Sequence, residues 1–343
     1  MTALKPEAFQ IQASDKDGRL LDGRYRIVGL LGTGSTADVY LAEDETNHEL
    51  VAVKWLTESA ARNRQVRARF VLGAGAALSV RHQGVRRVFS IEDSSAEPPY
   101  VVMEALPGEP LDDHLQKAGS LPQSSALELA RQVAAGLAAA HAAGIVHRDL
   151  KPANLFLVQT AGAPLTAKLI DFGFAKDIRA DPEAGPSSVN LVLGTAQYMA
   201  PEQVLAEPVD ARTDVYGFGV VLFPVLTGHL PFDVELGADL FSHQLFSPTP
   251  PPSWLVDELD PAFEEIVLRC TRKHPENRYP SMQAVLDDLE RVANGLLISA
   301  LPLQRDPDVY KPRNSSGREA AEALAAHFGT EAPPLTARPP GDF

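Results

Sequence analysis

The chain has almost no cysteine and no long apolar segment, and these two absences exclude several classes of protein. Cys270 is the single cysteine among 343 residues, so an intrachain disulfide and a cysteine-rich zinc site are excluded. A lone thiol is typical of a reducing compartment, and we expect a cytoplasmic protein. No uninterrupted apolar run approaches the roughly 20 residues of a membrane-spanning helix. The first residues, MTALKPEAFQ, lack the basic and apolar regions of a secretory signal.

Positive charge is also scarce. The chain has 31 Lys and Arg residues against 45 Asp and Glu residues, a net charge of −14. Proteins that bind nucleic acid or anionic lipid non-specifically need a basic surface, so we expect no nucleic-acid partner. With 45% hydrophobic and 22% charged residues, the composition is that of an ordinary globular protein.

Strand patterns dominate the first third of the chain and helix patterns the rest. Residues 1–22 are polar and without pattern, and we treat them as an N-terminal extension. Five strands rich in Val, Ile and aromatic residues are predicted after it: Tyr25 to Leu31, Val39 to Glu43, Leu50 to Leu56, Val85 to Ile91 and Tyr100 to Glu104. One helix, Glu58 to Val80, is predicted between the third and fourth strands. The sequence therefore predicts an α+β protein whose first lobe, residues 23–106, is a five-stranded antiparallel sheet with one helix.

Residues 107–295 form the second predicted lobe, which is mainly helical. The predicted helices are Pro122 to Ala143, Asp210 to Thr227, Pro261 to Lys273 and Ser281 to Ala293. Pro224 lies inside the second of these, where proline ends or kinks a helix. Residues 296–343 are rich in proline and form a predicted tail.

A glycine-rich segment joins the first two predicted strands. In Leu31-Gly32-Thr33-Gly34-Ser35-Thr36-Ala37-Asp38-Val39, the glycines would let backbone N–H groups approach phosphate oxygens closely. The same pattern is typical of an ordinary turn. Ala37 replaces the third glycine of a dinucleotide-binding motif and no helix follows, which argues against a dinucleotide fold.

Lys54 follows at the end of the third strand. It lies 22 residues after Gly32 in Val51-Ala52-Val53-Lys54, where strand alternation places Ala52 and Lys54 on one face. A lysine on a sheet is often only solvated, but on a face that binds a nucleotide it would be a point charge for the α and β phosphates.

The segment His147-Arg148-Asp149-Leu150-Lys151-Pro152-Ala153-Asn154 brings an acid, an ammonium group and an amide together. Asp149 would accept or orient the proton of an attacking hydroxyl, and Lys151 would neutralise charge on a transferring phosphoryl group. Asn154 would hold Mg²⁺. Asp171, in Ile170-Asp171-Phe172-Gly173, lies 17 residues after Asn154 and would supply the second oxygen ligand.

Together these motifs resemble the protein kinase superfamily, and in particular the bacterial eukaryotic-like Ser/Thr kinases. The resemblance extends in order from about Gly23 to Ala293. Gly194 to Glu202 resembles the end of an activation loop, and Asp210 to Gly217 resembles the start of the central helix. The resemblance implies a bilobal protein kinase fold, ATP and Mg²⁺ as cofactors, and protein substrates with Ser or Thr hydroxyls.

The resemblance also implies a role for individual residues. Met103 takes the gatekeeper position, the backbone of Glu104 and Leu106 would receive the adenine, and Asp113 would reach the ribose. The predicted nucleotide-binding residues are Gly32, Gly34, Val39, Ala52, Lys54, Met103, Glu104, Leu106 and Asp113. The predicted structural residues are Arg148, Thr195, Glu202, Asp214 and Arg278, with Arg278 paired to Glu202. Lys151 with Thr195 resembles the Ser/Thr-specific pattern, and Arg148 suggests a site organised by an activation-loop phosphate.

Two serines lie in the predicted activation loop. Ser187 and Ser188 are candidate phosphorylation sites within Phe174 to Leu193. Serines are also common in solvated loops, and the sequence leaves both interpretations open.

The chain departs from the family at the helix that follows Lys54. The family places a glutamate there to hold the lysine, and the corresponding residue in this sequence is Gly73. We therefore expect a Ser/Thr protein kinase whose site is completed by an activating partner, by a dimer or by a substitute residue. The alternative is a pseudokinase that acts as a nucleotide-binding scaffold. A small-molecule phosphotransferase is disfavoured by the segment that ends in Ala200-Pro201-Glu202.

Overall fold

A computed structural model describes residues 4–94, 98–159, 165–172, 176–177, 196–233 and 238–299. The chain divides into two compact units. The first contains Met1–Glu109 and Phe156–Lys176, and the second contains Pro110–Leu155 and Asp177–Phe343.

An antiparallel sheet of six strands forms the first unit. The strands are β1 (Leu20–Leu21), β2 (Tyr25–Gly32), β3 (Ala37–Asp44), β4 (Glu49–Leu56), β5 (Val88–Glu92) and β6 (Tyr100–Glu104), in the order β1-β2-β3-β4-β6-β5. Each of the five predicted strands is present. The additional strand is β1, which has two residues, lies inside the predicted N-terminal extension and pairs with β2. It is too short to show an alternating pattern in the sequence.

The two faces of this sheet bury different side chains, because successive residues of a strand point to opposite sides. One face carries an aromatic cluster: Trp55 packs edge to face against Tyr40 and Tyr100, with ring centroids 6.1 and 6.0 Å apart. The side chains of Lys16 and Arg19 lie over the Trp55 ring, at 4.4 and 4.8 Å from its centroid. Cations over an aromatic face are attracted by its electron density, so the N-terminal residues cover this cluster.

The other face is covered in part by residues that precede the first strand. Phe9 and Ile11 pack against the cluster that includes Leu41. Gln12 forms an isolated bridge with Leu30, with both backbone hydrogen bonds at 2.8 Å. Gly29 lies directly against this segment, since a Cβ at Gly29 would overlap the Ile11 side chain. Residues 1–22 were expected to be an extension, whereas residues 9–21 are part of the packed unit.

Two helices replace the single helix predicted after the third strand. They are α1 (Glu58–Ala61) and α2 (Arg64–Ser79). The break has a local cause: the Asn63 side chain accepts hydrogen bonds from the N–H groups of Gln65 and Val66 and so begins a new helix. Gly73 is buried in the middle of α2. A second, three-stranded sheet has the order β10-β9-β7 and contains β7 (Gly108–Pro110), β9 (Leu155–Val158) and β10 (Thr166–Leu169).

The second unit is mainly helical. Its helices are α3 (Leu111–Ala118), α4 (Gln123–Ala142), α5 (Pro201–Val204), α6 (Ala211–Thr227), α7 (Ala238–Phe246), α8 (Pro261–Cys270) and α9 (Met282–Ala293). Two further strands, β8 (Ile145–Val146) and β11 (Lys176–Asp177), have two residues each. The core element is α6, which is buried from Thr213 to Leu226. Pro224 does not end this helix, which continues to Thr227 and ends where Gly228 adopts a positive φ of 75°.

The end of the described chain is held in place by hydrogen bonds. The backbone N–H and the hydroxyl of Ser299 donate to Asp288 Oδ1 at 2.7 and 2.6 Å, and the hydroxyl of Tyr279 donates to Asp288 Oδ2 at 2.9 Å. Most of the predicted tail, residues 300–343, lies outside the described residues. Among the helices that the structure describes, none combines the length and the apolar character needed to cross a bilayer.

Candidate active site

Lys54 and Asp171 meet in the first unit. The Lys54 Nζ donates to Asp171 Oδ2 at 2.8 Å, with the two side chains 27% and 43% exposed. Asp171 follows β10, which is fixed at its end by the bridge between Leu169 and Val85. Its φ of 60° is in the left-handed region, which is uncommon for a residue other than glycine and is often seen at functional sites.

The glycine-rich hairpin lies between β2 and β3, as the sequence predicts. A Cβ at Gly34 would come 2.8 Å from the Ala37 carbonyl oxygen, so the backbone there requires glycine. A Cβ at Gly32 would meet nothing within 4 Å. The lack of space for a Cβ therefore explains why residue 34 is glycine. For Gly32, it remains a prediction that its backbone N–H approaches a phosphate closely.

Apolar residues predicted to contact the base lie on one face of the six-stranded sheet. Ala52 is fully buried, Met103 is 5% exposed, and Val39 packs against the same cluster. Their strands place them together, since Ala52 is directly opposite Met103 and Val39 is directly opposite Lys54 in the register. The arrangement is an apolar surface that ends at the Lys54 ammonium group.

Glu104 follows these residues at the end of β6. Both oxygens of its carboxylate accept from the Lys168 Nζ at 2.7 Å. Its backbone carbonyl accepts a hydrogen bond from the Arg86 Nε at 3.0 Å. Leu106, the other residue predicted to receive the base, is 5% exposed. Neither of these contacts, from Arg86 or from Lys168, was predicted from the sequence.

Asp149, Lys151 and Asn154 form a hydrogen-bonded cluster in the second unit. The Lys151 Nζ lies 3.0 Å from Asp149 Oδ2. The Asn154 Nδ2 donates to the Asp149 backbone oxygen at 2.7 Å and to Asp149 Oδ2 at 2.9 Å. Both amide hydrogens of Asn154 are therefore used, which fixes the amide and leaves Oδ1 as its acceptor.

Asp214 fixes the backbone that carries this cluster. Its carboxylate accepts from the backbone N–H groups of His147 and Arg148 at 2.7 and 2.8 Å, and it lies 2.8 Å from His141 Nε2. Burial raises the pKa of Asp214, but the His141 hydrogen bond, the charges of His141 and His147 and the Arg148 N–H together outweigh it, so the pKa lies below its ordinary value. Arg148 has a positive φ of 67°, and the hydrogen bond to its N–H helps to hold this backbone geometry.

Two residues of this support were missed in the sequence. His141 is one, and Gln203 is the other: its Nε2 donates to the Arg148 carbonyl at 2.8 Å while its Oε1 accepts from the Ala200 N–H at 3.1 Å. A histidine near the end of a long helix and a glutamine after Pro201-Glu202 carry no signal of their own, because their partners are distant in sequence.

Glu202 and Arg278 form a buried pair. The Arg278 Nη1 and Nη2 donate to the two Glu202 oxygens at 2.8 and 2.9 Å, and the Thr213 hydroxyl donates to Glu202 Oε1 at 2.8 Å. The Arg278 side chain is 0% exposed and the Glu202 side chain is 2% exposed. The guanidinium and the carboxylate therefore form a bidentate ion pair.

Asp113 lies in the first turn of α3 and is exposed. Its neighbour Asp112 is half-buried, and among the described residues its Oδ1 is buried without a hydrogen-bond partner. Burial raises the pKa of Asp112, and the positive charge of Lys151 opposes this. Asp113 alone was predicted from the sequence, whereas Asp112 is the acidic side chain that lies near Lys151.

Three predicted residues lie outside the described residues: Thr195, Ser187 and Ser188. For Lys54, the carboxylate partner among the described residues is Asp171, and α2 carries Gly73 where a glutamate was sought. Asp171 and the Asn154 amide are hard oxygen donors, which fit Mg²⁺ because this ion usually takes one or two protein ligands together with phosphate oxygens.

Comparisons with known proteins match the chain to one protein family. The family model "Protein kinase domain" matches residues 25–289. The chain is 37% identical over 330 residues to the serine/threonine-protein kinase Pkn1 of Myxococcus xanthus, covering 92% of this chain and 47% of that protein. It is 34% identical over 332 residues to the serine/threonine-protein kinase PknL of Mycobacterium tuberculosis, covering 96% of this chain and 79% of that protein.

The solved structures include a kinase domain with the same fold. The crystal structure of the Mycobacterium tuberculosis PknI kinase domain, solved as a double mutant, matches with a TM-score of 0.63 and 24% identity, covering 82% of this chain and all of that one. It confirms the predicted fold class. The chain spans about half the length of Pkn1 and 44% of a probable serine/threonine-protein kinase of Clostridium acetobutylicum. With a family model matched over most of its length, the chain belongs to the protein kinase family, as one of its bacterial eukaryotic-like serine/threonine members.

Proposed function

We propose that this chain transfers the γ-phosphoryl group of Mg-ATP to Ser or Thr hydroxyls of protein substrates. The observation that carries the proposal is the cluster of Asp149, Lys151 and Asn154, in which a buried carboxylate is held by an ammonium group at 3.0 Å and an amide at 2.9 Å. Few structural roles require this combination in one loop.

Each side chain has a role in the transfer. Asp149 accepts or orients the proton of the substrate hydroxyl as its oxygen bonds to phosphorus. Lys151, beside it, stabilises negative charge on the transferring group. Mg²⁺ held by Asn154 and Asp171 would neutralise charge on the phosphates. Lys54 would bind the α and β phosphates, and its contact with Asp171 supports this position.

A phosphoryl-transfer assay with labelled ATP tests the proposal. Asp149→Asn keeps the size of the side chain and removes its ability to accept a proton, so incorporation into a basic protein substrate should fall about 10²–10⁴-fold. Asp287→Asn, the same change on the exposed face of α9, is the matched control. Equal incorporation by wild type and Asp149→Asn would refute the proposal.

We further propose that full activity needs a partner or a second copy of this chain. The reason is Gly73: a lysine without its usual glutamate loses an ion pair, and a buried pair broken on one side costs up to ~3–5 kcal/mol, or a rate loss of about 10²–10⁴-fold if it falls on the transition state. Asp171, which is 43% exposed, replaces this partner only in part.

Gly73→Glu and its control Gly73→Ala separate this dependence from helix stability. Both changes raise the intrinsic helix propensity at this position by up to ~1 kcal/mol, but only glutamate adds a carboxylate that could pair with Lys54. We expect Gly73→Glu alone to raise the specific activity of the dilute chain at least about tenfold. The proposed dependence on a partner or a second copy would be contradicted if the specific activity of wild type did not change with chain concentration and Gly73→Glu did not raise it. A wild-type chain that binds Mg-ATP but incorporates no label would favour a pseudokinase.

A further inference from the structure

The solvent-exposed face of α2 is apolar. The last ten residues of this helix carry no charge, whereas a surface helix ordinarily presents charged side chains to solvent. Leu72 is 70% exposed, and Leu78 is also exposed. A Cβ at Gly75 would meet nothing within 4 Å, so no described residue covers the middle of this face. We call this face the α2 surface, and it consists of the exposed residues Arg64, Ala68, Leu72, Gly75, Leu78 and Ser79.

Positive charge borders the α2 surface. Between residues 59 and 91 the chain has seven arginines and no aspartate or glutamate, although its net charge is −14. Arg62 and Arg64 are exposed at the start of the helix, and Arg81 is exposed just after its end. A complementary partner for this surface therefore presents apolar side chains together with carboxylates.

A second exposed apolar patch lies in the second unit, beside negative charge. Trp254 is 40% exposed, and Leu255 next to it is also exposed. The exposed carboxylates of Asp257 and Glu258 follow them in the chain. Residues 247–268 contain five aspartates and glutamates and no lysine or arginine. We call Trp254, Leu255, Asp257 and Glu258 the Trp254 surface.

Hydrogen bonds fix the backbone of the Trp254 surface. The Trp254 N–H donates to the Pro251 carbonyl at 3.0 Å. The Ser253 N–H donates to Glu264 Oε2 at 2.7 Å, which ties this turn to α8. A surface that is already ordered loses little conformational entropy on binding, and tryptophan is enriched among the residues that dominate binding energy.

We propose that the α2 surface of one copy of this chain binds the Trp254 surface of a second copy. Both surfaces expose apolar side chains, and their charges are opposite. Arg62 and Arg64 supply cations for the Trp254 indole face and for the carboxylates of Asp257 and Glu258. Pairing of two identical surfaces is opposed by like charge, so the contact is head-to-tail and leaves one surface of each kind free at the ends of a pair.

This contact deepens the dependence on a second copy proposed above. Gly73 and Gly75 each lower the helix propensity of α2 by about 1 kcal/mol relative to alanine, and a partner bound to the exposed face would stabilise the helix. The link to activity rests on the proposed function, whereas the contact itself rests on the two surfaces.

Sedimentation velocity of the full chain at about 1–200 µM tests the contact, since this range covers the dissociation constants of weak protein contacts. Wild type should associate as its concentration rises. Leu72→Glu and Trp254→Lys each place a repulsive charge on one surface, so each should weaken association at least about tenfold. Leu297→Glu is the matched control, the same change at a leucine that is 85% exposed outside both surfaces, and it should associate like wild type.

Mixing the two variants tests the head-to-tail arrangement. Leu72→Glu keeps an intact Trp254 surface and Trp254→Lys keeps an intact α2 surface, so an equimolar mixture should form a 1:1 dimer and no larger species. A monomeric wild type, a mixture of folded variants that stays monomeric, or equal weakening by Leu297→Glu overturns the contact. Association that survives in either variant alone also overturns it, because a different surface then joins the copies.

Phosphoryl transfer by the mixed dimer tests the link to activity. Only the Trp254→Lys copy has its α2 surface occupied, so adding Asp149→Asn to that copy should abolish the activity gained on mixing. Adding Asp149→Asn to the Leu72→Glu copy should leave that gain in place. The opposite pattern, or no gain on mixing, overturns the link while the sedimentation result leaves the contact standing. Activity of a chain that stays monomeric overturns the contact and leaves the proposed phosphoryl transfer standing.

Discussion

Replacing Arg278 with methionine should destabilise the second unit strongly. All five N–H groups of the Arg278 guanidinium are used: Nε donates to the Arg272 carbonyl, and Nη1 and Nη2 donate to Glu202 and to the carbonyls of Arg212 and Lys273, at 2.6 to 2.9 Å. Methionine fills a similar volume but donates none of these bonds. The Glu202 carboxylate would be left buried with the Thr213 hydroxyl as its donor.

The expected loss in the free energy of unfolding is ~3–5 kcal/mol, the usual cost of breaking a buried pair on one side. Solvent screening does not reduce this value, because the two side chains are 0% and 2% exposed. Removing both charges with Glu202→Leu and Arg278→Met should recover a large part of the loss, since no buried charge then remains unpaired.

Equilibrium unfolding in urea measures the effect. The chain has two tryptophans, Trp55 in the first unit and Trp254 in the second, so a Trp55→Phe background makes fluorescence report the second unit. The urea midpoint should fall without a large change in the slope. A loss below ~1 kcal/mol for Arg278→Met, or a double variant less stable than the single one, would refute the reasoning.

Three further predictions concern stability. Gly29→Ala should lower the free energy of unfolding by ~1–3 kcal/mol and speed proteolysis of the N-terminal segment, because the new Cβ would overlap the Ile11 side chain. The control is Gly32→Ala, where the space is open, and equal proteolysis of the two variants would contradict the prediction. Gly75→Ala should raise the free energy of unfolding by ~1 kcal/mol, since a Cβ there meets nothing within 4 Å in a helix; an unchanged urea midpoint would count against it. Asp214 has a lowered pKa in the folded state, so its contribution is complete above the unfolded pKa of about 4 and is lost as the pH falls below it. The stability difference between wild type and Asp214→Asn should therefore shrink as the pH falls below about 4, and a difference that grows in acid would show the opposite sign.

The strands and long helices were predictable because their patterns are local. The alternation in Tyr25 to Leu31 and the apolar positions of Gln123–Ala142 depend on neighbouring residues, and their observed bounds differ from the predicted ones by one residue. The division of Glu58 to Val80 was missed, although Asn63 is a common residue at the start of a helix. The first of the two helices has only four residues, which is too short to show a helical pattern of its own.

The motif residues of the candidate site were predictable, but the contacts that hold them were not. Asp149, Lys151 and Asn154 lie within six residues, so their proximity follows from the sequence itself. Arg86 and Lys168 are separated from Glu104 by 18 and 64 positions, and only the folded sheet brings them together. The joint binding of Mg²⁺ by Asn154 and Asp171 stays a prediction.

The packed N-terminal residues have a practical consequence for the boundaries of recombinant fragments. The family model starts at residue 25, whereas Ile11 and Lys16 already contact the sheet. A fragment that begins at residue 25 would lack these residues and would expose both the Trp55 ring and the sheet surface around Gly29. Newly exposed apolar patches of this kind promote aggregation. Fragments intended for crystallisation or enzymology should therefore begin before Pro6 and extend beyond Ser299.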